Sequence, residues 1–380
     1  MSTLFPLLAA AAPSGDLGGW LHTIDPFLVR FSGGFGIRWY GLSYLAGFIA
    51  AFLILYRLAA RGLIRIPKDR VSDAVLVAVV GVVAGGRLGY ILLYQPSLLW
   101  TVRPQFPWWD AIALNRGGMA SHGGMVGVLL AAWVVSRGFR TDQGRREGRT
   151  SPLHVLDAFT LVAPLGLMFG RIANFINGEL LGRVVAQPGE HAPWWAVRFP
   201  QEINERYLPF VLEGQAPPDI HHTPAQAAAL ERLLLEQQII ENERWESLAS
   251  RLVERVQEGA PDLAARIEPL LTARHPSQLY QAAAEGIVVG LVVWAVFALP
   301  RRPGVVSAWF AISYGVMRIL TEFVRLPDVG VPRVLGLSRG QWLSVALIIA
   351  GLGLLFLAAR RRSEPKLGGW LRPAETTAAS

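Results

Sequence analysis

Cysteine is absent from all 380 residues. Disulfides, thiolate metal sites and a cysteine nucleophile are thereby excluded, and the chain cannot itself be a cysteine-anchored lipoprotein. Lysine is scarce: of 36 basic residues only Lys68 and Lys366 are lysine, and this arginine bias is a compositional habit rather than functional evidence. Charge is low overall, at 17%, where a soluble domain carries roughly a quarter. Apolar residues make up 52% and the mean hydropathy is +0.36, which places the chain in a membrane class. The net charge of +8 does not point to nucleic acid, because the arginines gather in short segments between apolar runs.

What is there in abundance is long apolar runs. A transmembrane helix needs about 20 mostly apolar residues. The pattern predicts spans at Ile37–Tyr56, Val71–Tyr94, Gly117–Val135, His154–Ile176, Pro276–Leu299, Val305–Val324 and Trp342–Ala359. Four linkers carry arginine clusters: Arg57 to Arg70, Arg137 to Arg149, Arg301 with Arg302, and Arg360 to Arg362. With seven spans, all four fall on one side, which the positive-inside rule makes cytoplasmic. The amino terminus is then periplasmic and the carboxyl terminus cytoplasmic. Leu4 to Ala12 is apolar but lacks a positive leader and is too short to span, so an uncleaved amino terminus is expected.

The expected fold is all-α: a polytopic membrane protein of about seven transmembrane helices plus a small periplasmic head. The segments are 1–36 outside, 37–176 as the first four spans with an outer arm near 95–116, 177–275 as the head, 276–359 as the last three spans, and 360–380 as a cytoplasmic tail. Within the head, a charged insert near 223–271 has helical period, with Leu230, Leu233, Leu234, Val253 and Val256 on apolar stripes. No internal repeat is evident, which counts against a transporter of inverted halves. Gly81, Gly85 and Gly89 recur every four residues in the second span, a spacing that lets helices approach closely.

Ionisable residues inside spans are costly, about 2.5–3.5 kcal/mol for an arginine on insertion scales, and usually face a polar cavity. Arg87, Arg171, Arg318 and Glu322 are the clear cases. In the sixth span Tyr314, Arg318 and Glu322 are spaced by four and Arg325 follows by three, so one face carries phenol, guanidinium, carboxylate and guanidinium. An intrahelical Arg–Glu pair that helps insertion would explain two of these. In the fourth span Arg171 and Asn174 share a face, with Asn177 and Glu179 at the exit. Guanidiniums from two helices suit a phosphate, and a lipid headgroup supplies one at this depth. Basic pockets between spans also bind lipid without chemistry. His122, in Arg116-Gly-Gly-Met-Ala-Ser-His-Gly-Gly124, serves either packing or proton transfer. Scattered histidines and no aspartate array support neither a metal site nor a CDP-lipid head-group transferase. No serine–histidine or intramembrane aspartate pair suggests a protease.

The motifs resemble one family. Gly170-Arg-Ile-Ala-Asn-Phe-Ile-Asn-Gly-Glu-Leu-Leu-Gly182 is similar to the signature G-R-x-G-N-F-x-N-x-E-x-x-G of the prolipoprotein diacylglyceryl transferases. Arg38-Trp-Tyr-Gly41, Gly85-Gly-Arg-Leu-Gly-Tyr90, His275-Pro-Ser-Gln-Leu-Tyr280, Tyr314 through Arg325, and Arg339-Gly-Gln341 follow in the same order. Two departures are Ala173 in place of the signature glycine and a longer stretch between Arg183 and His275. The resemblance implies a bacterial inner-membrane enzyme with spans around a central polar cavity. Such an enzyme moves diacylglyceryl from phosphatidylglycerol to the lipobox cysteine of a prolipoprotein and releases glycerol-1-phosphate. It implies Arg171 and Arg318 as the arginine pair, and Tyr40, Asn174, Glu179, Gly182, Glu322 and Arg325 as headgroup contacts beside Tyr314. It implies His122 as the catalytic histidine. His122 or Glu179 then accepts the thiol proton. Neither a cofactor nor a metal is expected, and the partners are phosphatidylglycerol, the prolipoprotein and the bilayer.

Overall fold

The computed structural model describes residues 17–31, 36–104, 106–114, 117–326, 334–360 and 365–371. The stretch Leu4 to Ala12, Arg116, Arg361 and Arg362 lie outside them. The chain is mainly helical: α1 (Trp39–Ala60), α2 (Val71–Leu93), α3 (Ser121–Ser136), α4 (Pro152–Asn177), α5 (Leu208–Val211), α6 (Pro224–Leu235), α7 (Trp245–Gln257), α8 (Pro261–Ile267), α9 (Ser277–Gln281), α10 (Val289–Phe297), α11 (Val305–Glu322) and α12 (Arg339–Arg360). A wide π-helical turn, Ala282–Val288, joins α9 to α10. Among the described residues, five helical runs are long and apolar enough to cross a membrane: Trp39–Ala60, Lys68–Leu93, Pro152–Asn177, Ser277–Phe297 and Arg339–Arg360.

Two expected spans come out differently. Gly117 and Gly118 take φ of +77° and +80°, so the third run starts only at Ser121 and has 16 residues. Helix α11 has 18 residues and carries Arg318 and Glu322, which lower its hydropathy.

Short strands modify the all-α expectation. They are β1 (Trp20–Leu21), β2 (Phe27–Arg30), β3 (Gly36–Arg38), β4 (Phe139–Arg140), β5 (Arg146–Glu147), β6 (Val184–Ala186), β7 (Val197–Arg198), β8 (Ala273–Arg274), β9 (Pro300–Arg301) and β10 (Leu367–Gly368). Four form one sheet in the order β1-β7-β8-β6, with β1 parallel to β7 and the rest antiparallel. Pairing of β2 with β3 also moves the start of α1 from Ile37 to Trp39.

The chain divides into two compact units. The first comprises residues 1–46, 167–286 and 317–342, and the second 47–166, 287–316 and 343–380.

In the second unit α2 and α3 pack along glycine. A Cβ on Gly81 would stand 2.5 Å from the Gly127 carbonyl oxygen, and one on Gly89 2.7 Å from the Gly123 Cα. The glycine spacing is therefore a packing seam. Arg87 is buried beside it, and its guanidinium donates to the carbonyls of Ala111 (2.9 Å), Gly118 (2.9 Å), Gly117 and Asp110. This intramembrane cation is spent on fixing the loop before α3. Asp157 of α4 is also buried. It accepts from the backbone N–H of Gly304 and of Ser307, each at 2.8 Å, and from the Ser307 hydroxyl at 2.5 Å.

In the first unit the apolar stripes of α6 and α7 bury Leu230, Leu233, Leu234, Leu248, Leu252 and Val256 against Leu21, Ile203 and Ile267. The Thr223 side chain caps α6 reciprocally with Gln226. Beside the sheet, Glu202 and Arg274 are almost fully enclosed, with the Arg274 Nε 2.8 Å from Glu202. Arg274 also reaches Asp219 at 2.9 Å and the Gly182 carbonyl at 3.2 Å, while Glu202 accepts from the Thr272 N–H at 2.7 Å. Arg206 pairs with Asp219 at 2.8 Å, closing the network.

His22 lies among rings, its centroid 5.4 Å from Phe175 and 5.1 Å from Phe199, with no exposure. Burial pushes its imidazole from 6.5 down to about 4. Between those values the unfolded chain binds a proton the native chain refuses, so stability falls as pH drops from 6.5 toward 4. From about pH 7 to about pH 5 the loss is on the order of 2 kcal/mol. Thermal unfolding in detergent across that range should show it, and His22→Phe, which keeps a ring in the cage, should flatten the dependence.

Candidate functional site

The site residues of the first unit are placed by four pieces of chain: the end of α4, the bend after it, the start of the 277–297 run and the end of α11. Helix α4 closes with the Gly178 and Glu179 N–H groups donating to the Phe175 and Asn174 carbonyls, at 2.9 and 3.1 Å. Gly178 takes φ +68° and Leu180 φ +59°, the latter a left-handed conformation that costs a leucine of order 1 kcal/mol. Side chains from α9 hold that bend. The Gln278 amide donates to the Glu179 carbonyl at 2.6 Å, and the Ser277 hydroxyl to the Leu180 carbonyl at 3.2 Å. The bend aims Glu179 back along α4, where it accepts from the Asn174 amide at 2.5 Å. The Tyr40 phenol faces that amide, within the field of the Glu179 carboxylate.

Gly182 forms an antiparallel bridge with Arg325. Flanking bonds run from the Arg183 N–H to the Val324 carbonyl (3.0 Å) and from the Leu326 N–H to the Leu181 carbonyl (3.2 Å). A Cβ on Gly182 would collide with the His275 carbonyl, so no larger residue fits. Burial, and then the Arg183 cation, lower the neighbouring His275 imidazole from its ordinary value. Ala173, which stands where the signature has glycine, is fully buried, so its methyl group is accommodated.

The arginines come together through carboxylates. Arg171 of α4 presents its Nε and Nη2 edge to Glu285 Oε2 at 3.2 and 3.1 Å. Arg318 of α11 donates from Nη1 to Glu322 Oε2 at 2.7 Å, so the intrahelical pair does form. Its Nε lies 4.0 Å from the other Glu285 oxygen. Arg325 Nη1 is 3.7 Å from Glu322, whose second oxygen accepts from the Ser338 hydroxyl at 2.9 Å. Side-chain exposure is 18% for Arg171, 14% for Arg318 and nil for Glu285. Among the described residues, these bonds leave the Nη1 of Arg171 and the Nη2 of Arg318 for other acceptors.

Of the residues singled out in the sequence, Tyr40, Arg171, Asn174, Glu179, Gly182, Arg318, Glu322 and Arg325 fall in the first unit. His122, half-buried in the first turn of α3, and Tyr314, stacked on Phe310 at 5.7 Å, fall in the second. Glu285 escaped the sequence reading. A carboxylate in the middle of an apolar run was the signal that could have found it.

Residues 26–357 match the family model described as prolipoprotein diacylglyceryl transferase. The chain is 37% identical over 372 residues to the phosphatidylglycerol–prolipoprotein diacylglyceryl transferase of Bdellovibrio bacteriovorus, covering 93% of this chain and 97% of that one. The enzyme of the same name from Neisseria gonorrhoeae is 36% identical over 337 residues, covering 87% and 94%. That of Xylella fastidiosa is 38% identical over 352 residues, covering 90% and 95%.

Proposed function

The chain belongs to the prolipoprotein diacylglyceryl transferase family, and from that premise we propose that it transfers diacylglyceryl from phosphatidylglycerol to the lipobox cysteine of prolipoproteins. The observation that carries the reading is the meeting of Arg171 and Arg318, from two helices, on one buried carboxylate. Three guanidiniums and two carboxylates, Arg171, Arg318 and Arg325 with Glu285 and Glu322, leave that cluster one charge positive, which a phosphodiester neutralises.

The thiolate sulfur attacks the glycerol sn-3 carbon, a C–S bond forms, and the bond from that carbon to the phosphate oxygen breaks. Glycerol-1-phosphate leaves with both bonding electrons and one further negative charge. Guanidiniums already in place stabilise that growing charge more than they stabilise the diester, which is the condition for catalysis. An unperturbed thiol has a pKa of about 8.5, so a base must take its proton. His122 is the acceptor and Glu179 the alternative. A pH–rate profile that loses its acidic limb in His122→Gln but not in Glu179→Gln assigns the role to His122, and the reverse assigns it to Glu179.

In this reading α3 and α11 cross the bilayer with the five longer runs, giving seven spans in the inner membrane. Residues 177–275 form a periplasmic head. The four arginine segments support the cytoplasmic side chosen for them.

The test is reconstitution in phosphatidylglycerol vesicles with a lipobox peptide, followed by mass spectrometry. The peptide should gain one diacylglyceryl unit and glycerol-1-phosphate should appear. A Cys→Ser peptide should stay unmodified. An unmodified cysteine peptide with folded protein would sink the reading.

A further inference from the structure

Glu285 is a buried charge that the transfer chemistry does not itself require. Its side chain has no exposure, it sits in the π-helical turn Ala282–Val288, and that turn breaks an otherwise regular helical run. Such turns interrupt the backbone ladder and are frequent at functional sites. The turn is locked in place, because a Cβ on Gly286 would come 2.5 Å from that of Met168 on α4. One oxygen takes the Nε–Nη2 edge of Arg171, and the other has Arg318 Nε at 4.0 Å and no hydrogen-bond partner among the described residues.

We propose that Glu285 is the positioning residue of the phosphate clamp, fixing how both guanidiniums point and supplying their counter-charge in the absence of lipid. This rests on the transferase reading. Holding the Nε–Nη2 edge of Arg171 on one carboxylate oxygen leaves its Nη1 end for the substrate. The same negative charge limits how tightly the clamp holds an anion, and so lets the more highly charged product leave.

Steady-state transfer by Glu285→Gln in phosphatidylglycerol vesicles tests this, with inhibition by added glycerol-1-phosphate as the second readout. The amide keeps the shape and loses the charge. The expected result is a kcat about a hundredfold lower with a lower KM, and inhibition by glycerol-1-phosphate about tenfold stronger. A kcat near that of the unmodified chain overturns the proposal. So does a fall in kcat with weakened product inhibition, which is what a merely loosened helix gives. Should Glu285→Gln fail to fold, Glu285→Asp keeps the charge and shortens the reach. A kcat about tenfold lower with product inhibition unchanged is then expected, and an unchanged kcat overturns the proposal. If the unmodified chain transfers nothing, it is the transferase reading that fails, not the role of Glu285.

Discussion

Arg171→Lys slows diacylglyceryl transfer by about a hundredfold or more, with a much smaller change in KM for phosphatidylglycerol. The geometry explains why a lysine that keeps the charge does not keep the rate. Arg171 spends its Nε–Nη2 edge on Glu285 and still has a donor at the far end of the same plane. An ammonium is a point charge on a flexible stem and cannot serve two acceptors in one fixed plane. Arg171→Ala should be worse in a second way, because Glu285 is fully enclosed and would lose its hydrogen-bonded partner. Arg318→Lys should fall in the same range, since Arg318 is shared between Glu322 and Glu285. The measurement is vesicle transfer to a lipobox peptide, with thermal unfolding as the control for folding. Full activity in either lysine variant would remove the two-arginine clamp from the mechanism.

Glu202→Ala lowers stability by about 3–5 kcal/mol, the range for removing one member of a buried ion pair. The alanine leaves the enclosed Arg274 to share the single carboxylate of Asp219 with Arg206, one positive charge in excess, and leaves the Thr272 N–H without its acceptor. The effect should reach the candidate site as well as the sheet, because Arg274 donates to the carbonyl of Gly182. A double variant, Glu202→Leu with Arg274→Met, should be less destabilised than Glu202→Ala alone, since Arg206 and Asp219 then remain as a balanced pair with no charge in excess. Thermal unfolding midpoints in detergent give both comparisons. A Glu202→Ala midpoint equal to that of the unmodified chain would mean that the pair is hydrated rather than closed.

The helical character of the chain was legible because apolar runs dominate it: runs such as those at α2 and α12 leave little other interpretation. Their ends were less legible. Gly117 and Gly118 read as the start of a span by hydropathy, while their positive φ values make them its limit. The sheet β1-β7-β8-β6 was not legible, since strands of two or three residues are too short to show an alternating pattern. Among the site residues, those spaced by four on one helix could be grouped from sequence alone, as with Arg318 and Glu322, whereas Arg325 falls beyond the end of α11 and still lies 3.7 Å from Glu322. Glu285 could not be paired that way. Its partners lie on other helices, and Arg171 is 114 residues distant. Arg87 shows the opposite limit. It has the same intramembrane signal as Arg171, but it is consumed by backbone carbonyls.

The Asp157 carboxylate has a consequence for how the chain is built. Helix α11 begins at Val305, and a new helix leaves its first N–H groups without intrahelical acceptors. In apolar surroundings each such group costs several kcal/mol. Asp157 answers two of the backbone N–H groups around this helix start, those of Gly304 and Ser307, from α4, which leaves the ribosome well before α11. The acceptor is therefore already synthesised when the donors arrive. The order of synthesis thus puts the acceptor in place before the polar start of the helix that needs it. Asparagine at 157 keeps one acceptor oxygen and turns the other into an NH2 that faces donors, so it should lower the thermal unfolding midpoint in detergent.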